Sequence, residues 1–484
     1  MSPLKKSSIF HILQRRKNQL IFTSFLLIFS LIIIQNLSFT SNSLTSITET
    51  ISTTVPTSTS HLLSASYFTS SFSSIYNTST IIAAQKITPK ENGLNLVIPP
   101  TPIENGSNKK INHSQKTTRK KVHKFVKKKR NSCDIFEGKW VLDDSDPNPI
   151  YPPGSCPFLD DTFNCFNNGR FDLDYLRYRW QPHGCNIPRF DGKKMLEILR
   201  GKRMVFVGDS LNRNMWESMV CSLRMSLDDK NTVFEVSGRK QFRAEGFYSF
   251  KFQDYNCTIE FIRSPFLVQE WKFPVVKGVV ETRREMLRLD LIQATTSNYH
   301  NADFLIFNTG HWWTHQKLRK GKNFFQEGNI VHPELKVTEA YTKALKTWSK
   351  WVDKNVNKNK TQVFFAGYSA SHFRGGQWNS GGNCDGETEP IKDDKFLAPY
   401  PWMMRIFESV ISKMNTPVVY LNITKMTDYR KDAHPSIYRQ PRAERRPGMI
   451  QDCSHWCLPG VPDSWNQLLY AYLLMNSKNS KKIH

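Results

Sequence analysis

Two distant segments of this chain contain the residue types that serine-based acyl transfer requires. Gly208, Asp209 and Ser210 follow an apolar run at residues 204–207, so the serine lies where a predicted strand ends and a predicted helix begins. Such a turn exposes the Ser210 hydroxyl and directs helix N-terminal N–H groups toward a developing oxyanion. The simpler interpretation is that Asp209 or Ser210 only caps the helix.

The second segment, near the C-terminal end, supplies a general base. Asp452 and His455 are three residues apart, and Cys453 and Cys457 flank the histidine. An imidazole can take the proton of a serine hydroxyl, and a carboxylate behind it fixes its tautomer. Ser210, His455 and Asp452 are therefore candidate catalytic residues, although His455 alone would more simply be a packed histidine. Pattern alone also leaves open other histidines: His311, His315, His372 and His434.

A third group of residues is predicted to bind the oxyanion or the substrate. Asn308 and Gly310 follow an apolar run at residues 304–307, and could donate hydrogen bonds unless they only form a tight aromatic turn. Arg213 lies one turn after Ser210 and would bind the acceptor or, more simply, brace the site. Gly208 and Asp209 complete this group of candidates.

The elements that position these residues alternate between strands and helices. Short apolar runs predict strands at residues 204–207, 304–307, 363–365 and 418–421. Helical spacing of apolar residues predicts helices at residues 211–223, 338–355, 402–414 and 463–474, the last capped by Asp463. This alternation predicts an α/β fold whose mainly parallel sheet carries helices on both faces, with the site beyond the carboxyl ends of the strands.

The nine cysteines all lie beyond residue 132, which favours disulfides in an oxidising compartment. Residues 133–195 are rich in Cys, Pro, Gly and Asn, and predict a loop-rich cap held by disulfides. A zinc site at Cys453 and Cys457 lacks a second cysteine pair, so no metal site is predicted. Cys257 lies in an apolar run and is the expected free thiol. The disulfide candidates are Cys133, Cys156, Cys165, Cys185, Cys221, Cys384, Cys453 and Cys457, and spacing does not fix their pairing.

The N-terminal third predicts a membrane anchor and a stem. A basic segment precedes the apolar residues 20–39, and the following flank has no base, which favours a cytosolic tail at residues 1–19 and a lumenal body. A cleaved signal peptide is the alternative. Residues 40–132 are Ser/Thr-rich and then basic, so they predict a disordered stem. Residues 109–130 contribute +11 of the net charge of +25, which leaves a moderately basic body, and nucleic-acid binding is not expected. A catalytic domain at residues 133–476 and a polar tail at residues 477–484 follow.

Several of these segments together resemble the plant trichome birefringence-like family. The residues that carry the resemblance are Gly208-Asp-Ser-Leu-Asn-Arg213, Asp452-Cys-Ser-His-Trp-Cys-Leu-Pro-Gly460, Pro462-Asp-Ser-Trp-Asn466, Cys133-Asp-Ile-Phe-Glu-Gly-Lys-Trp140 and Trp378-Asn-Ser-Gly-Gly382. The amino-acid sequence at residues 365–368 and 375–378 is most similar to that of the trichome birefringence branch of the family. The resemblance covers about residues 133–476 and the anchor-and-stem layout.

The resemblance implies an SGNH/GDSL-like α/β fold in a single-pass type II Golgi membrane protein with a lumenal catalytic domain. It implies that Ser210 is the nucleophile, His455 the base and Asp452 its partner, in O-acetylation of a wall polysaccharide, xylan or pectin. An acetyl donor would be the co-substrate, with no tightly bound cofactor, and a membrane protein that supplies the donor is an expected partner. The rival functions are a polysaccharide acetylesterase and a non-catalytic wall-polymer-binding protein.

Overall fold

The computed structural model describes residues 133–143, 149–239, 246–272, 285–314 and 317–480. Within these ranges no helix is both long enough and apolar enough to cross a bilayer. The predicted tail, anchor and stem at residues 1–132 lie outside the described residues, as does His315.

The described residues form a mixed α/β structure. Its strands are β1 (Gly138–Leu142), β2 (Tyr178–Pro182), β3 (Arg203–Gly208), β4 (Val233–Glu235), β5 (Phe247–Phe252), β6 (Cys257–Arg263), β7 (Val268–Lys272), β8 (Glu285–Ile292), β9 (Phe304–Phe307), β10 (Phe325–Glu327), β11 (Ile330–Val331), β12 (Gln362–Ala366) and β13 (Val418–Leu421). Its α-helices are α1 (Gly192–Leu199), α2 (Ser210–Met225), α3 (Val337–Asn355), α4 (Trp402–Ile411), α5 (Thr424–Asp428) and α6 (Val461–Ser480).

A seven-stranded sheet forms the centre, in the order β13-β12-β9-β3-β6-β5-β4. The first five of these strands run parallel, and β5 and β4 complete the sheet in antiparallel orientation. Because β3 and β9 are adjacent and parallel, with Val207 opposite Phe307, their carboxyl ends lie side by side. The segments that follow these two strands therefore meet at one edge of the sheet, where sites in such sheets occur.

Helices cover both faces of this sheet because β3 is apolar on both sides. Met204 and Phe206 pack into a core shared with α1, α2 and α6. Val205 and Val207 pack into a second core shared with α3 and α4. The predicted alternation of buried strands and covering helices is thus present in the described residues.

A second, four-stranded sheet in the order β11-β10-β8-β7 was not predicted. Its strands are short or carry charged residues at alternate positions, as in β8, where Arg288 and Asp290 form an ion pair on one face. Such strands lack the continuous apolar run that identifies a buried parallel strand. This sheet lies against α3 and extends the second core.

Four disulfides crosslink the described residues, within the cap, between the cap and the rest of the fold, and within the C-terminal part. They join Cys133 to Cys185, Cys156 to Cys221, Cys165 to Cys457, and Cys384 to Cys453, while Cys257 is free and buried. The first lies within the cap, whose β1 and β2 form an antiparallel pair. The second ties the cap to α2, and the third ties it across 292 residues of sequence to the turn that contains His455.

The last helix differs from the prediction at both ends. It begins at Val461 and continues to Ser480, so the first residues of the predicted polar tail are helical. Asp463 is not the residue before the helix but lies in its first turn, where its carboxylate accepts a hydrogen bond from the Gly460 N–H at 2.8 Å. A carboxylate at this position reaches back to the helix start, which satisfies the same free N–H groups as a cap.

Asp463 also joins three parts of the fold at a buried position. Its carboxylate accepts hydrogen bonds from the Ser218 hydroxyl of α2 and from the Tyr151 hydroxyl of the cap. Burial raises its pKa from 3.8 to about 6, against the lowering effect of the hydrogen bonds from Ser218, Gly460 and Tyr151. The folded protein therefore holds a proton here at pH values where the unfolded chain has lost it.

This raised pKa predicts that Asp463 makes the fold less stable as the pH rises. Between about pH 4 and pH 6 the unfolded state releases the proton first, so increasing pH favours unfolding, and above about pH 6 the loss is complete at about 3 kcal/mol. Asp463→Asn, which resembles the neutral acid, is expected to lack this loss. Unfolding free energies of both proteins measured across this pH range test it, and parallel curves would contradict it.

Candidate active site

Ser210 is the first residue of α2, directly beyond the end of β3. Asp209 is the cap of this helix, and its Oδ1 accepts a hydrogen bond from the Leu211 N–H at 2.9 Å. Gly208 has no room for a side chain, because an added Cβ would lie 2.8 Å from the carbonyl oxygen of Asn308 and closer still to its carboxamide. The predicted strand–turn–helix therefore exists, and the simpler capping interpretation of Asp209 is correct as well.

Asn308 supports this turn from the neighbouring strand end. Its Oδ1 accepts a hydrogen bond from the Asp209 N–H at 2.9 Å, and its Nδ2 donates to Asp209 Oδ1 at 2.8 Å. The carboxamide is buried and holds the Asp209 backbone and side chain in place. The expectation that Asn308 donates to an oxyanion is thus replaced by a positioning role. Gly310 is likewise buried, and a Cβ added to it would lie 3.2 Å from Cδ2 of Tyr368.

Asp209 is a buried, ionised group rather than a residue exposed to substrate. Burial would raise the pKa of its carboxyl, but the His311 imidazole and hydrogen bonds from Asn308 and Leu211 lower it to about 2. His311 Nδ1 lies 3.1 Å from Asp209 Oδ2, and its Nε2 lies 2.8 Å from the carbonyl oxygen of Ser369. Both ring nitrogens of His311 are therefore occupied, which leaves it unsuited to act as the base for Ser210.

The structure brings Ser210, His455 and Asp452 together across 245 residues of sequence. His455 Nε2 lies 2.7 Å from Ser210 Oγ, and His455 Nδ1 lies 2.8 Å from Asp452 Oδ2. These are hydrogen-bond distances in the order hydroxyl, imidazole, carboxylate. With Nδ1–H donating to the carboxylate, Nε2 is the acceptor that faces the hydroxyl, so the arrangement can remove a proton from Ser210.

Asp452 is held as a carboxylate behind the imidazole. Burial would raise its pKa, but the charge of His455 and hydrogen bonds from His455 and from the Ser454 N–H hold it well below the usual range. The other oxygen, Oδ1, accepts from the His455 N–H at 3.0 Å and the Ser454 N–H at 3.2 Å. The turn that carries the base therefore also orients the carboxylate.

Contacts from several elements fix this turn. The disulfides of Cys453 and Cys457 lie on either side of His455. The Trp456 N–H donates to Asn214 Oδ1 at 2.8 Å, and Asn214 Nδ2 donates to the Trp456 carbonyl at 3.2 Å, so α2 binds the turn directly. The helix that begins with Ser210 thus also positions the histidine, which couples nucleophile and base geometrically.

A pair of histidines lies behind His455, of which His434 is buried and His372 is partly buried. Burial and then the charge of His372 lower the pKa of His434 well below its usual value, so His434 is neutral. His434 Nδ1 donates to the His455 carbonyl at 2.6 Å, and His372 Nδ1 donates to His434 Nε2 at 2.7 Å. His434 also stacks on Trp456, with 4.2 Å between ring centroids. The sequence left both histidines open as bases, whereas the structure gives them a supporting position.

Arg213 is a buried brace. Its Nη1 lies 2.7 Å from Asp160 Oδ2 and 3.2 Å from Glu217 Oε1, and its side chain is 9% exposed. The guanidinium carbon lies 4.6 Å from the centroid of the Phe163 ring, and that ring lies 5.3 Å from the centroid of the His455 ring. Of the two predicted roles for Arg213, the geometry favours bracing, because the buried guanidinium supports the ring beside the base.

Ser210 opens onto a cleft of about 300 Å³ whose walls include residues that the sequence analysis did not select as binding residues. The lining side chains beyond the triad include Trp312, Lys317, Tyr368, Trp378 and Arg439. Neither Asn308 nor Gly310 is among the described residues that line it. Trp312 and Trp378 stand in motifs that the sequence already singled out, which is a signal for sugar-binding residues. A single sequence, however, does not distinguish exposed tryptophans from packed ones.

No cluster of metal-binding side chains occurs within the described ranges.

Comparison with known proteins agrees with this architecture. Residues 187–472 match the GDSL/SGNH-like acyl-esterase family found in Pmr5 and Cas1p, and residues 131–186 match the PMR5 N-terminal domain. The chain is therefore an acyl-esterase-type protein by family.

Comparison with individual proteins shows which branch of acyl-esterase-type proteins this chain is similar to. The chain is 64% identical to protein trichome birefringence-like 4 of Arabidopsis thaliana over 351 residues, which cover 71% of this chain and 76% of that protein. Identity is 57% over 365 residues with trichome birefringence-like 1 (75% and 65% covered) and 56% over 363 residues with trichome birefringence (74% and 59% covered), both of the same plant. The chain belongs to the trichome birefringence-like family, which confirms the resemblance seen in its motifs.

Proposed function

We propose that this protein is an O-acetyltransferase that moves acetyl groups from a donor to hydroxyls of a plant cell-wall polysaccharide, xylan or pectin, through an acetyl-Ser210 intermediate. The observation that supports it most is the hydrogen-bonded chain Ser210–His455–Asp452 at the base of an open cleft. Membership of an acyl-esterase family supports the acyl chemistry.

The proposed first half-reaction acylates the enzyme. As Ser210 Oγ attacks the donor carbonyl, its proton moves to His455 Nε2, and Asp452 stabilises the imidazolium. The N–H of Ser210, at the N-terminus of α2, is expected to stabilise the oxyanion. When the tetrahedral intermediate collapses, the leaving group departs with the proton from His455.

The second half-reaction transfers the acetyl group. A sugar hydroxyl gives its proton to His455 Nε2 and attacks the acetyl-serine carbonyl, which forms the sugar ester. The Ser210 oxygen is the leaving group and regains the proton. Neither half-reaction requires a tightly bound cofactor, and the acetyl donor is a co-substrate.

We further propose that the protein is a single-pass type II Golgi membrane protein with its catalytic domain in the lumen. The apolar residues 20–39 and their basic N-terminal flank support the anchor and its orientation. The four disulfides support an oxidising compartment. Its partners would be the wall polysaccharide, the Golgi membrane and a membrane protein that supplies the donor, and not nucleic acid.

The rival with a specific observation in its favour is a polysaccharide acetylesterase, because the matched family is described as acyl-esterase. The same residues would hydrolyse acetyl-Ser210 with water. The protein should be incubated with an acetyl donor and deacetylated xylan or homogalacturonan, and separately with acetylated polymer. We expect a net gain of acetyl on the deacetylated polymer. Acetate release from the acetylated polymer without any such gain would contradict transfer.

A further inference from the structure

A lysine and two tryptophans form a cradle at the mouth of the Ser210 cleft. Lys317 Nζ lies 4.0 Å from the ring centroid of Trp312 and 5.6 Å from that of Trp378. All three side chains line the cleft, and Trp378 is 39% exposed. Cation–π contacts hold the ammonium over the indoles without neutralising its charge.

Lys317 is an exposed residue of the cleft wall whose ammonium packs over the Trp312 ring, and it has no carboxylate within ion-pair distance among the residues that the structure describes. Burial lowers its pKa, the charge of Asp209 opposes that effect, and the charge of Arg263 adds to it. Arg263, whose guanidinium carbon lies 5.2 Å from the Trp312 centroid, has Glu270 at 3.7 Å. The ammonium therefore stays accessible from solvent, and no carboxylate among the described residues pairs with it.

The remaining charges of the cleft also favour an anion. Asp452 is the one acidic residue among the described residues that line it, and its oxygens are occupied by His455 and the Ser454 N–H. Arg439 adds a second permanent cation, with a buried Nε that makes no hydrogen bond to any described residue. A cleft with low-dielectric aromatic walls and a surplus of positive charge attracts anionic ligands.

We propose that Lys317, Trp312 and Trp378 form a subsite for a carboxylate-bearing sugar residue of the acceptor, so that the enzyme selects uronic-acid-containing polysaccharide over neutral polymer. The ammonium pairs with the uronate carboxylate, and the exposed indole face of Trp378 packs against the C–H face of a sugar ring. This inference specifies the acceptor of the proposed transferase and rests on that function only for its catalytic consequence.

The matched ligands are galacturonan oligosaccharides and the same oligosaccharides with every carboxyl methyl-esterified, which have the same hydroxyls but no charge. Binding of each to the full chain is measured by calorimetry. We expect the acid form to bind at least about tenfold more tightly, a preference that falls as salt screens the pair. Lys317→Gln is expected to reduce the preference to about twofold or less.

The control is Lys320→Gln, which removes the same charge from an exposed lysine three residues away that does not line the cleft. It is expected to keep the preference. Equal binding of both ligands by the unmodified protein, or an undiminished preference in Lys317→Gln, would overturn the inference.

The binding measurement tests the subsite independently of whether the protein is a transferase. A Lys317-dependent preference without acetyl transfer to any polymer would support the subsite and refute the transferase. Where transfer occurs, kcat/KM for the two acceptors, measured with one neutral aryl acetate as donor, should show the same Lys317-dependent ratio. In a double-displacement reaction this ratio reports only the second half-reaction, so effects on donor use cancel.

Discussion

Replacing Ser210 by alanine is expected to lower acetyl transfer at least about 10³-fold, because it removes the hydroxyl that His455 Nε2 contacts at 2.7 Å. Fold and polymer binding should persist, since Ser210 is only partly buried and its hydroxyl makes no other hydrogen bond among the described residues. Rates of polymer acetylation and polymer affinity, measured on the same preparations, test both expectations.

A second serine of the cleft provides the control. Ser454 Oγ lies 3.1 Å from Ser371 Oγ, and it is the Ser454 backbone N–H, not the hydroxyl, that contacts Asp452. Ser454→Ala should therefore retain transfer within about tenfold of the unmodified protein. Undiminished transfer by Ser210→Ala, with polymer binding intact, would instead support the non-catalytic polymer-binding protein.

Arg213→Met is expected to destabilise the fold by about 3–5 kcal/mol, because it removes the guanidinium from two buried carboxylates. The side chains of Asp160 and Glu217 are 4% and 0% exposed, and Arg213 Nη1 contacts both. Loss of the support beneath Phe163 should also reduce activity through a less ordered His455. The free energy of unfolding from denaturant titration measures the main effect.

The matched control is Arg200→Met, which breaks an ion pair of the same kind on the surface. Arg200 and Glu197 are 50% and 58% exposed, so solvent screens their charges and the expected change in stability is small beside that of Arg213→Met. Adding Glu217→Gln to Arg213→Met should recover part of the lost stability, since it removes one of the facing charges. An Arg213→Met protein with full stability and a raised KM for polymer would show that Arg213 binds the acceptor instead.

The sequence predicted four of the five parallel strands of the central sheet because each of them is a short continuous apolar run. Phe304–Phe307 and Val418–Leu421 were found at their observed bounds, since a short continuous apolar run between polar segments has few other interpretations. Strand β5 was missed: it contains Ser249 and Lys251 between aromatic residues and packs antiparallel at the side of the sheet. Alternation of polar and aromatic residues over so few positions also occurs in many exposed segments, so it does not identify a strand.

The site was predictable where residue type limits the chemistry, and not where three-dimensional contacts decide the role. Ser210, His455 and Asp452 belong to motifs with few alternative uses. Asn308 was expected at the oxyanion, but its carboxamide is used in holding Asp209, which only the adjacency of β3 and β9 reveals. Lys317 lies in a loop without periodic pattern, and only the folded chain places it between two indoles.

The disulfide pairing also depended on the fold. Cys165 and Cys457 are 292 residues apart, and nothing in their spacing favours that pair over other combinations. Asn256 begins the glycosylation triplet Asn-Cys-Thr, and the apolar residues around it predict burial. Asn256 is exposed, in a left-handed turn with φ of 48° just before β6. One residue at a strand end can face solvent while its neighbour Cys257 is buried.

In the proposed mechanism Ser210 itself receives the acetyl group. The most direct measurement is mass spectrometry of the proteolysed protein after brief exposure to an acetyl donor without polysaccharide. We predict that the peptide with Ser210 gains the mass of one acetyl group, that later addition of polymer removes it, and that Ser210→Ala protein never acquires it. Label that is absent from this peptide, or that accumulates on another residue from which polymer removes it, would contradict the proposed mechanism.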